Sequence, residues 1–447
     1  MTSLKDFTYL CGHIHLLLIQ DLPTTIMKIL HTGDWHIGQI IYQYYDREEE
    51  HRYFFRQLTD WCRNEQPDAM IVAGDIFDTA QPTVTARRFY TEQMMQIRRA
   101  CPDMPIVIIA GNHDSAGRIE AEAALWHYAD IYAIGTAPAQ DMENLPVNWQ
   151  SKYIVEIPEK GYIVALPYYN GSRKTVIQSL LDYVANKNTA GLPVVEIGHQ
   201  WVQGMATWGS EMGNLAEKGL EEFGQGYDYL ALGHIHKPYT IGQAEDVTIK
   251  GYSQVLASPV ARYSGSAVHV SASEKVPHSV SVVEIDHHGG EVKIRPLHIN
   301  QLLHFYTVPE EGKAIETEEE LKQTVRAFVT DTDRSGYFRL RIRHALHWDC
   351  DPDKVVEQLI AGHEDKARFN PQTLYENFPD ETPATNEEVV FEVEEFQQMT
   401  DPLTFISKTI KQYPNLEQES LEDDFRLISA RVRQMDETMD KNKQETL

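Results

Sequence analysis

The chain has 447 residues, of which 42% are hydrophobic and 24% charged, and this composition excludes collagen-like, low-complexity and wholly disordered proteins. With 40 basic and 67 acidic residues its formal net charge is −27, which excludes a simple nucleic-acid coat protein because such proteins carry a basic surface. The four cysteines are far apart and include no C-x-x-C pair, so the sequence predicts neither a disulfide framework nor a zinc ribbon and favours the reducing cytoplasm.

The first 26 residues contain one short apolar stretch, without a cleavage site, that is too short to span a bilayer. We therefore predict no membrane contact and interpret residues 1–26 as a dispensable extension, with a targeting role as the alternative. Met27 opens MKILHTGDWH, which is typical of a first strand. From there to about residue 300, short apolar runs alternate with amphipathic stretches, which predicts an α/β domain.

Several elements of this domain are predicted individually. Apolar residues at helical spacing predict helices over Asp46 to Cys62 and over Thr83 to Ile97. The segment RIEAEAAL predicts a further helix, which Asp114 could cap. TIKGY, HSVSVVEIDH and GEVKIRPLHI are predicted to be successive strands that close the domain.

The remaining third of the chain predicts smaller units. Residues 301–378 form a predicted α+β unit, with a helix in EELKQTVRAFV and a strand in YFRLRIRHAL. Residues 379–398 are rich in Pro, Thr and acidic residues and predict a linker. Residues 399–447 predict two amphipathic helices. Their apolar faces need either the body of this chain or a partner protein, because isolated short helices cannot bury them.

Five predicted strands end in a glycine that is followed by side chains able to bind metal. These side chains are Asp34 and His36 after MKILHTG, Asp75 and Asp78 after DAMIVAG, Asn112, His113 and Asp114 after MPIVIIAG, His199 after PVVEIG, and His234 and His236 after YDYLALG. In open α/β sheets the carboxyl ends of the strands form the ligand-binding crevice. A glycine at the strand end lets the backbone turn or approach a crowded site. The sequence therefore predicts that the five segments converge on one site.

The donor atoms at this site favour two metal ions. Two carboxylates, one amide and four imidazoles supply oxygen and nitrogen ligands without a thiolate: Asp34, His36, Asp75, Asn112, His199, His234 and His236. The set is too large for one tetrahedral zinc and suits two divalent ions that share a carboxylate. Manganese is the predicted metal, with iron, zinc and magnesium as alternatives. Because two such ions about 3.5–4 Å apart can activate water and hold phosphate oxygens, the predicted reaction is phosphoester hydrolysis.

The motifs D-W-H, G-D-I-F-D, G-N-H-D, G-H-Q and G-H-I-H, in this order, resemble the signature of calcineurin-like metallophosphoesterases. More narrowly, HTGDWHIGQ, VAGDIFDTAQP, IAGNHDS and YLALGHIHKP are similar to the family of SbcD nuclease subunits. The resemblance covers about residues 27–265. It implies an α/β fold with a four-layer αββα sandwich as the nuclease domain over residues 27–300, a capping domain over residues 301–378, and C-terminal helices over residues 399–447 that dock on a partner.

The resemblance also implies a role for each site residue. Asp34, His36, Asp75 and His236 would bind one ion, and Asp75, Asn112, His199 and His234 the other, with Asp75 as the bridge. His113 would be the catalytic proton donor or transition-state stabiliser, and Asp78 would orient it.

The function that the resemblance implies is a DNA exonuclease and endonuclease acting on double-strand ends and hairpins in DNA repair and recombination. It would act as a homodimer within a heterotetramer with an SbcC-like ATPase. The chain contains no G-x-x-x-x-G-K-[ST] segment, so another protein would have to bind ATP. Because fold and metals do not fix the substrate, a metallophosphatase for a small-molecule or protein phosphoester is the alternative. A scaffold for the ATPase without enzymatic activity is a third hypothesis.

DNA contact on so acidic a chain requires local cations and aromatic rings beside the metal-binding loops. The predicted candidates are Tyr42, Tyr44, Tyr45, Arg47, Arg87, Arg88, Arg118 and Lys237. The loop after His199, WVQGMATWGSEMGNLAEKGL, is predicted to be a lid or a substrate-shaping loop.

Overall fold

The computed structural model describes residues 26–202, 218–270, 274, 276–310, 312–331, 334–343 and 351–376. Four predicted features lie outside these residues: the extension before residue 26, most of the loop after His199, the linker, and the two C-terminal helices. Within the described ranges, no helix has both the length and the apolar composition needed to cross a membrane.

The strands and helices follow one another along the whole described chain. The strands are β1 (Met27–Thr32), β2 (Ile40–Ile41), β3 (Tyr45–Asp46), β4 (Ala69–Ala73), β5 (Ile106–Ile109), β6 (Ile131–Ile134), β7 (Ile154–Ile157), β8 (Gly161–Ala165), β9 (Val194–His199), β10 (Tyr229–Gly233), β11 (Tyr239–Thr240), β12 (Gln254–Ala257), β13 (Val260–Tyr263), β14 (Ser279–Ile285), β15 (Glu291–His298), β16 (His304–Val308), β17 (Gly336–Arg343), β18 (Ala367–Phe369) and β19 (Leu374–Glu376). The α-helices are α1 (Glu48–Glu65), α2 (Val84–Ala100), α3 (Ala116–Glu120), α4 (Ala123–Tyr128), α5 (Lys174–Lys187), α6 (Val247–Lys250), α7 (Glu318–Thr330) and α8 (Pro352–Ile360). Short 3-10 turns lie at Met142–Asn144, Trp149–Lys152 and Leu220–Phe223.

Two mixed sheets form the centre of the molecule. The first has the strand order β12-β15-β14-β1-β4-β5-β6, in which β1, β4, β5 and β6 are parallel and β14 is antiparallel to β1. The second has the order β11-β13-β10-β9-β8-β7, in which β13, β10, β9 and β8 are parallel. The parallel strands of each sheet therefore present their carboxyl ends along one edge.

The side chains of β4 show how the layers pack. All five residues of this strand are buried, and successive side chains point to opposite faces. Ile71 belongs to the cluster between the two sheets, whereas Met70 and Val72 belong to the cluster beneath α1 and α2. On the other side, α5 packs on the second sheet through residues such as Leu180. The layers run helix, sheet, sheet, helix, which confirms the predicted α/β class and αββα architecture.

In the first domain two helix predictions are confirmed, one helix prediction is wrong, and one strand prediction is wrong. Helices α1 and α2 form where apolar spacing predicted them, and the Thr83 hydroxyl caps α2 by accepting from the Ala86 amide at 3.1 Å. RIEAEAAL does not form one helix, because the chain divides it between α3 and α4. TIKGY is not a strand either. The Asp246 carboxylate caps the one-turn helix α6, and Gly251 ends it in the left-handed region with φ 72°.

The helix and the strand predicted between residues 301 and 378 are present as α7 and β17, and the strands there pair entirely in parallel. Strand β17 pairs in parallel with β16, β18 and β19, and α7 and α8 cover a core that includes Val325, Phe328 and Phe338. The unit is joined to the first domain near α1. The Tyr337 hydroxyl donates to the Glu50 carboxylate at 2.7 Å, and the Tyr45 hydroxyl accepts from the Phe369 amide at 3.0 Å. It therefore lies against the segment that follows Asp34 and His36.

Candidate metal centre

Five strand ends from the two sheets bring the predicted ligands together. Strands β1, β4 and β5 of the first sheet and β9 and β10 of the second lead into the segments that carry them. The residues that are gathered are Asp34, His36, Asp75, Asn112, His199, His234 and His236. The crevice therefore lies between the carboxyl ends of two sheets, where ligands bind in open α/β folds.

One half of the site consists of Asp34, His36 and His236, whose ligand atoms lie within 4.8 Å of one another. The Nε2 atoms of His36 and His236 face each other at 3.1 Å. The Asp34 Oδ1 accepts from the His234 amide at 2.9 Å, while its Oδ2 is buried without a hydrogen-bond partner among the described residues. A buried carboxylate oxygen beside two imidazole nitrogens suits a divalent cation.

The other half consists of Asp75, Asn112, His199 and His234. The Asn112 Oδ1 lies 2.9 Å from the His199 Nε2 and 2.8 Å from the His234 Nδ1. The His199 Nδ1 donates to the Ala73 carbonyl at 2.7 Å, so that Nε2 is the nitrogen that faces the site.

Asp75 lies between the two halves. Its Oδ2 is 3.3 Å from the His199 Nε2 and 3.7 Å from the His36 Nε2. Its Oδ1 accepts from the His113 amide at 2.9 Å, which fixes the carboxylate. The position of Asp75 suits a bridging ligand.

The backbone at the ligands is held in an unusual conformation. Asp34, His36, Asp75 and His234 have positive φ values of 49°, 48°, 47° and 98°. Residues other than glycine rarely adopt this region, and the cost of about 1–3 kcal/mol each is typical of functional sites.

Two of the strand-end glycines are required by close packing. A Cβ on Gly111 would lie 2.0 Å from the Asp75 Oδ1, and a Cβ on Gly233 would lie 1.8 Å from the Ala73 carbonyl oxygen. Both strand ends therefore pass too close to the site for any side chain.

The proton affinities of the ligands reflect burial and mutual charge. Burial raises the pKa of Asp34 to about 7. Burial would raise the pKa of Asp75 too, but the neighbouring His199 and His36 hold it well below its usual value. Burial lowers the pKa of His199, but the Asp75 carboxylate outweighs it and raises this pKa to about 9. Protons therefore compete with cations for Asp34 and His199 at neutral pH.

His113 is exposed and lies beside the first half, with its ring 4.9 Å from that of His36. Its Nδ1 lies 2.8 Å from the main-chain carbonyl oxygen of Asp78, which can only accept, so Nδ1 carries a hydrogen. The Asp78 carboxylate instead lies 3.4 Å from the His36 Nδ1. The prediction that Asp78 orients His113 stays a prediction, and the contact that supports it is made by the Asp78 carbonyl. The main chain of Asp78 contacts His113, and its side chain contacts His36.

Asp114 does not cap the following helix. Its carboxylate accepts from the main-chain amides of Ile76, Phe77 and Gly111 at 3.1, 3.0 and 2.8 Å. Asp114 thus fastens the loop after β4 to the loop after β5. The predicted cap was a contact between residues close in sequence, whereas the observed contacts to Ile76 and Phe77 join residues distant in sequence.

Glu274 is near the site and was not predicted. Its Oε1 lies 3.9 Å from the His236 Nδ1, and its Oε2 lies 3.3 Å from the His278 Nε2. The surrounding sequence SASEKVPH follows no strand-end glycine, so no signal of the kind used for the other ligands marks it.

One predicted DNA-contact residue is buried. Arg47 is 1% exposed and pairs with Glu50 at 2.6 Å, so it holds the structure together and is not available to DNA. Arg87 is partly exposed but pairs with Glu122 at 2.7 Å. Tyr44, which is 75% exposed, remains accessible for a base to stack on.

Comparison with known proteins agrees with this geometry. Residues 27–238 match the family described as calcineurin-like phosphoesterase. The chain is 29% identical over 290 residues to the SbcD component of the nuclease SbcCD from Rhodobacter capsulatus, covering 58% of this chain and 66% of the relative. It is 29% identical over 267 residues to the Escherichia coli K12 protein of that name, covering 56% and 62%.

The SbcD component of the nuclease SbcCD from Staphylococcus epidermidis is 23% identical over 383 residues, covering 79% of this chain and 92% of the relative. The matches to the first two relatives span slightly less than two thirds of their length. The matched family uses a binuclear metal centre, and the groups of this chain that could hold metal ions meet in the crevice. Residues 27–238 of this chain therefore form a calcineurin-like metallophosphoesterase domain.

Proposed function

We propose that the protein is a metal-dependent DNA exonuclease and endonuclease that acts on double-strand ends and hairpins in DNA repair and recombination, together with an SbcC-like ATPase. The observation that carries the proposal is the position of Asp75, whose carboxylate lies within 3.7 Å of ligand nitrogens from both halves of the site. The similarity to the SbcD components of several SbcCD nucleases supports DNA as the substrate.

Asp34, His36 and His236 would hold one ion, Asn112, His199 and His234 the other, and Asp75 both. The oxygen and nitrogen donor set without thiolate supports Mn²⁺. When bound, the two ions supply Lewis acidity at the phosphate oxygens and make water nucleophilic.

The protein side chains divide the remaining tasks. Asp75 is fixed by the His113 amide, and His36 is faced by the Asp78 carboxylate at 3.4 Å. The His113 Nδ1 is held by the Asp78 carbonyl, so Nε2 delivers a proton to the leaving oxygen. The exposure of His113 agrees with this role, because the leaving strand must reach its ring.

The test compares hairpin DNA, single-stranded DNA and p-nitrophenyl phosphate, each with Mn²⁺ or with EDTA. We expect cleavage of hairpin DNA in Mn²⁺ alone and its loss in Asp75→Asn. Asp286→Asn is the matched control, since Asp286 pairs only with the adjacent exposed His287 at 2.9 Å among the described contacts. Hydrolysis of p-nitrophenyl phosphate without any DNA cleavage would support the alternative, a metallophosphatase.

We assign docking of the ATPase partner to residues 399–447, which the sequence predicts to form two amphipathic helices. Deleting residues from Asp401 onward should abolish capture of an SbcC-like ATPase and leave Mn²⁺-dependent cleavage of short DNA intact. Unchanged capture would refute the assignment. The widely separated cysteines support a cytoplasmic location for the complex.

We also propose that the chain forms a homodimer through α2 and α4. Val84, Leu125 and Tyr128 are 85%, 71% and 92% exposed on these helices, which pack together through Tyr90 and Trp126 with ring centroids 5.7 Å apart. Exposed apolar side chains on adjacent helices support a self-complementary interface. Sedimentation should show a dimer that Tyr128→Glu dissociates. A monomeric wild-type protein would contradict the interface.

A further inference from the structure

The segment between β13 and β14 places a carboxylate behind one of the proposed metal ligands. The Glu274 Oε1 lies 3.9 Å from the His236 Nδ1, and both side chains are almost fully buried, with 14% and 11% of their surface exposed. The Glu274 Oε2 accepts from the Val270 amide at 3.0 Å, which limits where the carboxylate can move.

The two ring nitrogens of His236 face different partners. Its Nε2 faces the His36 Nε2 at 3.1 Å, within the first half of the site, whereas its Nδ1 faces Glu274. A carboxylate at Nδ1 favours the tautomer with a hydrogen on Nδ1, and in this tautomer the Nε2 lone pair can bind a cation. It also makes the imidazole a more basic ligand.

Glu274 belongs to a series of polar neighbours that leads back to the main chain of His236. Its Oε2 lies 3.3 Å from the Nε2 of the fully buried His278. The His278 Nδ1 lies 2.9 Å from the Ser266 carbonyl oxygen. The Ser266 amide in turn donates to the His236 carbonyl at 2.9 Å. Ser266 therefore holds the main chain of His236, while the Glu274 carboxylate lies 3.9 Å from the Nδ1 of its ring.

The neighbouring ligand has the same arrangement. The Asp78 carboxylate lies 3.4 Å from the His36 Nδ1, on the side of the ring away from His236. Both imidazoles of the first half are therefore backed by a carboxylate, while His199 in the second half uses the Ala73 carbonyl.

We propose that Glu274 is a positioning residue that orients the His236 imidazole for metal binding, because its carboxylate faces the ring nitrogen opposite the site. The proposal rests on the assignment of His236 as a metal ligand under the proposed function. It adds a residue that lies outside the five strand-end motifs and binds no ion itself.

The test is a Mn²⁺ titration of metal-free protein, followed by electron paramagnetic resonance of the free ion. In Glu274→Gln we expect one of the two ions to bind about 10–100-fold more weakly, as is typical when such a partner is lost, and the other to bind as in the wild type. Glu284→Gln is the matched control, since Glu284 pairs with Lys293 on the surface of the β14–β15 hairpin. It should bind both ions normally.

The melting temperature of the metal-free protein separates positioning from a purely structural role. We expect Glu274→Gln to melt like the wild type without metal and to gain less stability from Mn²⁺. Wild-type affinity for both ions would overturn the proposal, as would a lower melting temperature combined with equal weakening of both ions. A wild-type protein that binds no Mn²⁺ would instead contradict the metal assignment itself, which is a separate failure.

Discussion

Replacing Gly111 by alanine should disable the metal centre without unfolding the protein. The added Cβ would lie 2.0 Å from the Asp75 Oδ1 and 2.3 Å from the Asp75 main-chain nitrogen. Because the second atom belongs to the backbone, rotation of the Asp75 side chain alone cannot relieve the clash. Restoring a contact of about 3 Å requires the loop after β4 to move by about 1 Å, and a misplacement of that size costs about 100-fold in rate.

The assay for Gly111→Ala is Mn²⁺-dependent hydrolysis of bis(p-nitrophenyl) phosphate, with thermal melting followed by circular dichroism. We expect about a 100-fold lower rate, weaker Mn²⁺ binding and a cooperative melt. Gly117→Ala is the matched control, since a Cβ there meets no atom within 4 Å. It should keep full activity and gain about 0.5–1 kcal/mol, because alanine favours a helix over glycine. Wild-type activity and Mn²⁺ affinity in Gly111→Ala would refute the reasoning.

Three further predictions follow from the site and its surroundings. His113→Ala should retain both ions and lose about 10²–10⁴-fold in DNA cleavage, since only proton delivery is removed; loss of bound metal would make His113 a ligand instead. Mn²⁺ affinity should rise with pH, by about tenfold per pH unit for each proton released. The reason is that Asp34, whose pKa is about 7, and His199, whose pKa is about 9, must lose their protons to bind the ions. Calorimetry that shows no pH dependence of the affinity would contradict this. Glu196→Gln should have a larger free energy of unfolding in urea than the wild type, and this difference should grow between pH 5 and pH 8. Burial raises the pKa of Glu196 well above 4.5, so the wild-type protein loses about 1.4 kcal/mol per pH unit between its unfolded and folded pKa values. If the difference in the free energy of unfolding were the same at both pH values, Glu196 would not be protonated in the folded protein.

The sequence predicted those parts of the fold and site that repeat a local pattern. Helices α1 and α2 follow apolar spacing, and the proposed ligands follow glycines at the ends of apolar strands. Parallel strands bring such ends to one edge, so convergence at the crevice could be expected without knowledge of the strand order.

The remaining features depend on contacts between residues that are distant in sequence. The sequence around Asp114 suggests only a local helix cap. Its partners after β4 lie about 38 residues away and cannot be recognised from the neighbouring sequence. Asp78 is aligned with His36 only because β1 and β4 are neighbours. Glu274 reaches His236 through the connection between β13 and β14, and SASEKVPH gives no periodic or strand-end signal. Such contacts cannot be inferred until the strand order is known.

The most direct test of the binuclear centre is anomalous X-ray diffraction from crystals grown with excess Mn²⁺. We expect two manganese peaks about 3.5–4 Å apart, with the Asp75 carboxylate bound to both. We expect His36 and His236 at one peak, and His199 and His234 at the other. A single peak, or two peaks that Asp75 does not bridge, would contradict the account.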